Sequence, residues 1–245
     1  MNWETSIHFR LYSQVHIPEG QEITITYTNL LRDTFTRQKH LRSQWFFTCA
    51  CARCIDPAEF QCGINGVKCP KCGGENYLVP ETNDDGAPFW TCPACAKSLS
   101  HETIEDFVGV LHRKLDAISA PPTVEAMETF LIYASDYVHE NHFVCVIAKR
   151  FLSQLYCKPD DAEKKLGVCH NLLALFNCLD PGYSHSRGLT LVELVLAELE
   201  VAKDPDALEL EGKVEVVKKC LGVEESESPA GRRLKQFLDI VSAHL

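Results

Sequence analysis

Residues 45–54 read WFFTCACARC, three aromatic side chains running directly into three cysteines spaced CxCxxC. What these thiols hold, and why aromatics sit against them, decides how the rest of the chain is read. Cys49, Cys51 and Cys54 supply three thiolates, whereas a structural zinc ion takes four ligands in a tetrahedron. Cys62, in EFQCG, is the nearest spare thiol in the sequence. It closes the site in one reading; in the other the fourth ligand comes from polypeptide outside this sequence. Spacing does not choose between them.

Further along, CPKC (Cys69–Cys72) and CPAC (Cys92–Cys95) are separated by nineteen residues. That spacing suits a zinc site built from two knuckles, each CxxC turn bringing two sulfurs to one side of a tight reversal. Cys69, Cys72, Cys92 and Cys95 are therefore expected to bind a structural zinc, and together with the first cluster the chain is expected to carry one or two ions. A closed four-thiolate site has no open coordination position, so no catalysis is assigned to it. The sequence opens without a basic stretch followed by an apolar one, so a secretory route is not expected. In a reducing compartment thirteen cysteines point to metal ligands and small buried hydrophobes rather than disulfides. The expected location is nucleus and/or cytoplasm, and no apolar run approaches the ~20 residues needed to cross a bilayer.

The cysteines divide the chain, with eight falling between Cys49 and Cys95 and five scattered singly from Cys145 to Cys220. Residues 1–48 show strand-like alternation in SIHFRLYSQVHI (6–17) and QEITITY (21–27), separated by the turn PEG (18–20). Residues 49–99 are rich in Cys, Gly and Pro, too poor in apolar periodicity for a core of their own, and depend on metal for order. From residue 100 to 245 the apolar spacing is helical, as in IEDFVGVLHRKL (104–115), AMETFLIYASDYV (126–138) and LTLVELVLAELEVA (189–202). About seven helices are expected there, given the usual ~10–14 residues per helix. Asp160 with Glu163 reads as a capping box, Asp204 before Pro205 as a cap, and LDPG (179–182) as a helix stop. The fold class is thus α+β with an all-α, tetratricopeptide-like C-terminal part.

The stretch PEGQEITITYTNLLRDTFTRQKHLRSQWFFTCACARCIDP (18–57) resembles the end of the SET domain and the post-SET segment of SMYD-type (SET and MYND) protein-lysine methyltransferases, arthropod-type members most closely. The resemblance continues through the CPKC and CPAC ribbon into HENHFVCVIAKRFLSQLY (139–156) and LLALFNCLDPGYSHSRGLTLVEL (172–194), which look like that group's helical C-terminal domain. It implies the end of a SET domain over 1–48, a post-SET and zinc-ribbon segment over 49–99 and a helical domain over 100–245. It also implies that Tyr27 sits at the active-site tyrosine, which helps orient the lysine amine and the methyl donor. Trp45 and Phe47 match positions that line the lysine channel and cover the cofactor adenine. The first of these aromatics is commonly tyrosine in the family and is tryptophan here, so a phenolic hydroxyl is lost. The family's glycine-rich donor-binding segment, its Asn-His-Ser-Cys motif and its MYND finger are not found in this sequence. The resemblance is therefore to the C-terminal part. It implies that S-adenosylmethionine is bound only by a longer protein, and that the cysteine of the missing motif is the usual fourth ligand of the CxCxxC zinc.

The expected function is the C-terminal portion of a SET-type, S-adenosylmethionine-dependent protein-lysine methyltransferase, inactive as an isolated chain, whose partner is a histone or non-histone protein substrate. The alternative is a non-catalytic, zinc-stapled helical adaptor for chromatin or co-repressor proteins. Direct nucleic-acid binding is disfavoured by the formal net charge of −10, which each four-thiolate zinc site makes two units more negative. The basic run RDTFTRQKHLR (32–42) reads as a solvated helix face. Blander readings stand beside these: Tyr27 as a strand-end packing residue, Trp45, Phe46 and Phe47 as core aromatics, and Cys145, Cys157, Cys169, Cys178 and Cys220 as buried small hydrophobes. His139 and His142 show no metal-binding pattern.

Overall fold

A computed structural model of the chain describes residues 12–74, 76–83, 85, 87–202, 209–222 and 228–242. It is α+β. The short helix α1 (Thr34–His40) begins where the Asp33 carboxylate accepts from the Thr36 N–H at 2.9 Å. It widens into a π-type turn, Leu41–Trp45, and stops at Phe46, whose φ of 58° takes the left-handed region. One further turn, α2 (Ala52–Ile55), carries Cys54. Glu59, Phe60 and Gln61 then adopt φ values of 46°, 61° and 56° in succession, an uncommon left-handed run for non-glycine residues. The Asp56 carboxylate offsets part of that strain by accepting from the Ala58 and Phe60 N–H groups.

Four short strands follow as an antiparallel meander: β1 (Val67–Lys68), β2 (Tyr77–Thr82), β3 (Pro88–Thr91) and β4 (Ser98–Ser100), in spatial order β1-β2-β3-β4. Val79 faces Thr91, and Trp90 faces Pro80 on one side and Leu99 on the other. The turn out of β4 starts a helix at once, because the Ser100 hydroxyl accepts from the Thr103 N–H. Seven helices are described between residues 101 and 241, the number expected: α3 (His101–Ala117), α4 (Val124–Ser135), α5 (Phe143–Leu155), α6 (Ala162–Leu179), α7 (His185–Val201), α8 (Leu210–Leu221) and α9 (Pro229–Val241). Thr123, His142, Ser184 and Ser228 cap α4, α5, α7 and α9.

Ile64, Val67, Leu78 and Trp90, all buried, share one apolar core with Ile104, Leu111, Met127, Val144, Leu152 and Phe176 of the helices and with Val138 of the loop between α4 and α5. The cysteine-rich segment has no core of its own, as its composition suggested, but it contributes large side chains to its neighbour's. Each such side chain is worth ~1.5–3 kcal/mol when fully buried. A second core lies among α7, α8 and α9, around Val192, Val195, Val217, Leu221 and Phe237.

Several expectations are corrected. Residues 12–17 and 21–27 form no strand and pair with none among the described residues; the first part of 6–17 lies outside them. A ladder needs a partner to take its N–H and C=O groups, and none pairs with them among the described residues. The PEG turn does form, with the Gln21 N–H donating to the Pro18 carbonyl and φ of 82° at Gly20. The Asp160–Glu163 capping box does not form: Pro159–Asp161 make a 3-10 turn, and α6 starts at Ala162 with Asp161 in the N-cap position making no side-chain cap. Pro159 sets that tighter turn. Asp204 and Pro205 lie outside the described residues. The LDPG stop holds, with α6 ending at Leu179 and φ of 86° at Gly182. A Cβ on Gly182 would lie 2.0 Å from the Gln14 carbonyl oxygen, which accepts from the Tyr183 N–H. Cys145, Cys169 and Cys220 are buried as expected and Cys178 is half-buried, but Cys157 is exposed.

Candidate zinc centres and aromatic face

The two CxxC turns fold as matched knuckles. Cys69 follows β1, Cys92 follows β3, and the residue after each turn, Gly73 or Ala96, is left-handed with φ of 64° or 54°. The Ala96 N–H donates to the Cys92 carbonyl, and the Cys92 N–H to that of Lys97. Their four sulfurs converge: Cys69 Sγ lies 3.7 Å from Cys95 Sγ, and Cys72 Sγ 3.7 Å from Cys92 Sγ. A zinc ion with Zn–S bonds of ~2.3 Å in a tetrahedron sets its sulfurs ~3.8 Å apart. All four lie within 4.8 Å of one another, so the group could hold zinc.

The protonation pattern agrees. Burial works against ionising Cys69, but N–H groups of Cys72 and Lys71 aimed at its sulfur outweigh it and lower the thiol to about 7. Cys72 is pushed up to about 12, first by its hydrogen bond with Cys95. Cys69 and Cys72 this close share negative charge unequally rather than both ionising. A dication removes that conflict.

Cys49, Cys51 and Cys54 also converge, within 4.8 Å of one another. Cys51 is exposed and begins α2. Burial would raise its thiol, yet donors that include the Cys54 and Arg53 N–H groups lower it overall. Cys54 is pushed up to about 11, chiefly by burial. Cys62 does not join this group. The left-handed turn at residues 59–61 carries it toward the core, where it is half-buried and its thiol is pushed up to about 11, chiefly by burial. Its carbonyl accepts from the Asn141 side chain.

Tyr27, Trp45 and Phe47 meet. The Tyr27 ring stands edge-on to Trp45 at 5.0 Å and to Phe47 at 5.8 Å. All three are exposed, Trp45 by 51%, and Phe46 between them by 87%. The plain-core reading of these aromatics is therefore wrong. They form a solvent-facing wall beside the three-thiolate group, tied to it by Gln38, whose side chain donates to the Cys49 carbonyl and accepts from the Cys49 N–H.

Sequence spacing missed the charges behind this wall. Arg37, assigned to a solvated helix face with Arg32, Lys39 and Arg42, is 2% exposed. It and Arg53 both bond the fully buried Glu59 at 2.8 Å. Nothing in the spacing of three charged residues scattered over 37–59 signals that meeting. His142 is buried and caps α5 through Nδ1, and His139 Nδ1 accepts from the Asn141 N–H. Both have structural partners.

No family model matches the chain. Among curated proteins it is similar to the SET domain-containing protein SmydA-8, isoform B, of Drosophila melanogaster: 33% identical over 85 residues, covering 35% of this chain and 19% of that protein. It is similar to the histone-lysine N-methyltransferase ASHR1 of Arabidopsis thaliana, 29% identical over 117 residues, 45% of this chain and 23% of that one. It is 48% identical over 40 residues to the histone-lysine N-methyltransferase SET5 of Candida albicans, 16% of this chain and 8% of that protein. The chain thus spans about a fifth of the length of the first relatives it matches. Over the stretches that align, the expected likeness to SET-domain proteins, SmydA-8 among them, is shown.

Proposed function

We propose that the chain is the C-terminal portion of a SET-type protein-lysine methyltransferase and carries one wall of its active site. The observation that carries this reading is the meeting of Tyr27 with Trp45 and Phe47 directly before three gathered thiols. The histone-lysine methyltransferases among its relatives support a protein substrate. S-adenosylmethionine, when bound, supplies an electrophilic methyl group. The residues here do the rest of what a wall can do: exposed aromatic faces stack on a flat ring and strip water from an alkylammonium chain. Removing water from a lysine favours its neutral, nucleophilic form. The Tyr27 hydroxyl orients that amine. Cys69, Cys72, Cys92 and Cys95 hold one zinc, and Cys49, Cys51 and Cys54 three corners of a second. The chain alone is not expected to transfer methyl groups, because the family's donor-binding motifs are not found in this sequence.

The test is transfer of labelled methyl to a histone mixture. The purified chain is expected to give none. A chain extended through a donor-binding SET half is expected to be active and to lose about 10²-fold or more in kcat on Tyr27→Phe, the scale for a positioned proton-handling group. Transfer by the chain alone, or full activity of the extended Tyr27→Phe protein, overturns the assignment.

One observation favours a second reading, a zinc-stapled adaptor for other proteins. A groove of about 930 Å³ runs between α1, the ribbon and α3, with Phe35, Trp90, Ile104 and Val108 among its lining residues. An adaptor binds its protein partner without the donor-binding half; the enzyme reading requires it.

A further inference from the structure

Glu59 accepts from Arg37 Nη1 and from Arg53 Nε at 2.8 Å through one oxygen, and from the Thr34 N–H at 2.7 Å through the other. Further guanidinium donors go to the Leu30 and Arg32 carbonyls and the Thr34 hydroxyl. One more contact leaves this set: Arg37 Nη2 lies 3.5 Å from Cys54 Sγ. The side chains of Arg37, Arg53 and Glu59 are 3%, 7% and 0% exposed.

Two guanidinium groups and one carboxylate leave one positive charge unbalanced in a buried place, and an uncompensated buried charge is strongly destabilising. The three-thiolate group is the anion within reach. Three thiolates on one Zn²⁺ carry a net charge of −1, and four carry −2. We infer that Arg37 is a positioning residue for the Cys49–Cys51–Cys54 metal site: its guanidinium holds the Cys54 sulfur and cancels the excess charge of the metal–thiolate centre. The same residue links that site to the aromatic wall. Arg37 and Gln38 are neighbours on α1; one holds Cys54 and the other clamps Cys49, while α1 itself runs on into Trp45. Metal at the three thiols thus fixes the helix that presents Trp45.

This inference rests on the reading that the three thiols bind zinc, and the experiment separates the two. Metal-free chain is titrated with Zn²⁺ against a chromophoric chelator, resolving a tight phase for the four-thiolate site and a weaker one for the three. Arg37→Met is expected to weaken the second phase 10–100-fold, the usual cost of losing a group that supports a metal ligand, and to leave the first unchanged. Arg53→Met removes an equal charge and the same Glu59 partner but touches no sulfur with its side chain; it is expected to change the second phase less than threefold. With Co²⁺ in the weaker site, the sulfur-to-metal charge-transfer band is expected to shift in Arg37→Met alone. Should Arg37→Met fail to fold, Arg37→Gln, which keeps amide donors without the charge, carries the same expectation. Equal losses in the Arg37 and Arg53 variants, or none in either, overturn the inference while leaving zinc at the three thiols. A wild-type chain that binds a single zinc under all conditions overturns the reading beneath it as well.

Discussion

The Lys68 N–H donates to the Tyr137 carbonyl at 2.8 Å, joining the first ribbon strand to the loop between α4 and α5. His139 N–H to Gly66 and Phe143 N–H to Ile64 continue the same seam. The cysteine ribbon and the helices therefore share backbone hydrogen bonds as well as the core around Val67, Trp90 and Val144.

With zinc on the four gathered thiols of the ribbon, that seam is expected to make the helices depend on the metal. Structural zinc sites are worth ~10–16 kcal/mol in small domains at neutral pH, and ~1 kcal/mol moves the melting temperature of a chain this size by ~2–4 °C. Cys92→Ser, or complete chelation, is expected to lower the melt followed at a helical circular-dichroism wavelength by about 10 °C or more. An unchanged helical melt would show that the two parts unfold separately.

The paired knuckles differ at the residue that follows each CxxC turn. Gly73 and Ala96 hold the same left-handed turn, and a Cβ on Gly73 meets nothing within 4 Å. Any change there is conformational rather than steric. Gly73→Ala is expected to cost about 1 kcal/mol and Ala96→Gly to gain about 0.5–1 kcal/mol, read as opposite shifts in melting temperature. Shifts of the same sign would contradict the equivalence of the two turns.

Trp45 and Trp90 should respond in contrasting ways. Trp90 is 3% exposed and its indole N–H reaches His101, whereas Trp45 is half in water. Trp90→Ala is expected to cost about 3–5 kcal/mol, and Trp45→Ala to stay within about 0.5 kcal/mol, by urea denaturation of the zinc-loaded chain. A large loss at Trp45 would place it in a core.

His142 makes stability depend on pH. Burial lowers its imidazole to about 4, against a partial pull upward from Asp33 and a further push down from His139. The unfolded chain, with an ordinary value near ~6.5, then holds more protons than the folded one between those limits. Stability is full above about pH 6.5 and drains as pH falls toward 4. Between pH 6.5 and 5 this loss is about 2 kcal/mol. His142→Asn keeps an acceptor for the α5 cap and is expected to remove that share of the loss, while thiolate protonation affects both proteins alike. Identical pH profiles for the two would rule it out.

The thiol groups were legible because their cysteines are local: two CxxC turns and one CxCxxC announce themselves through spacing, and the fold had only to bring one turn to the other. The seven helices were legible for the same reason, through three- and four-residue apolar steps. What spacing hid was long-range. Arg37 sits in a run that looks solvent-facing, and only the left-handed turn at 59–61 brings Glu59 underneath it. The same turn carries Cys62 away from the three thiols it was a candidate to join. Conversely, QEITITY alternates as a strand does, but alternation describes a side-chain pattern and not a neighbour; Asp160 and Glu163 carry the letters of a capping box, and Pro159 spends those positions on a 3-10 turn.

Ile23 and Ile25 are 68% and 58% exposed, and Tyr27, two positions on, is exposed as well. A greasy, two-residue rhythm of exposed side chains is a surface on which another copy can lie down. Purified at high concentration, the chain will tend to stick to itself through this stretch, and a lysine at position 25 is the simplest way to keep it in solution.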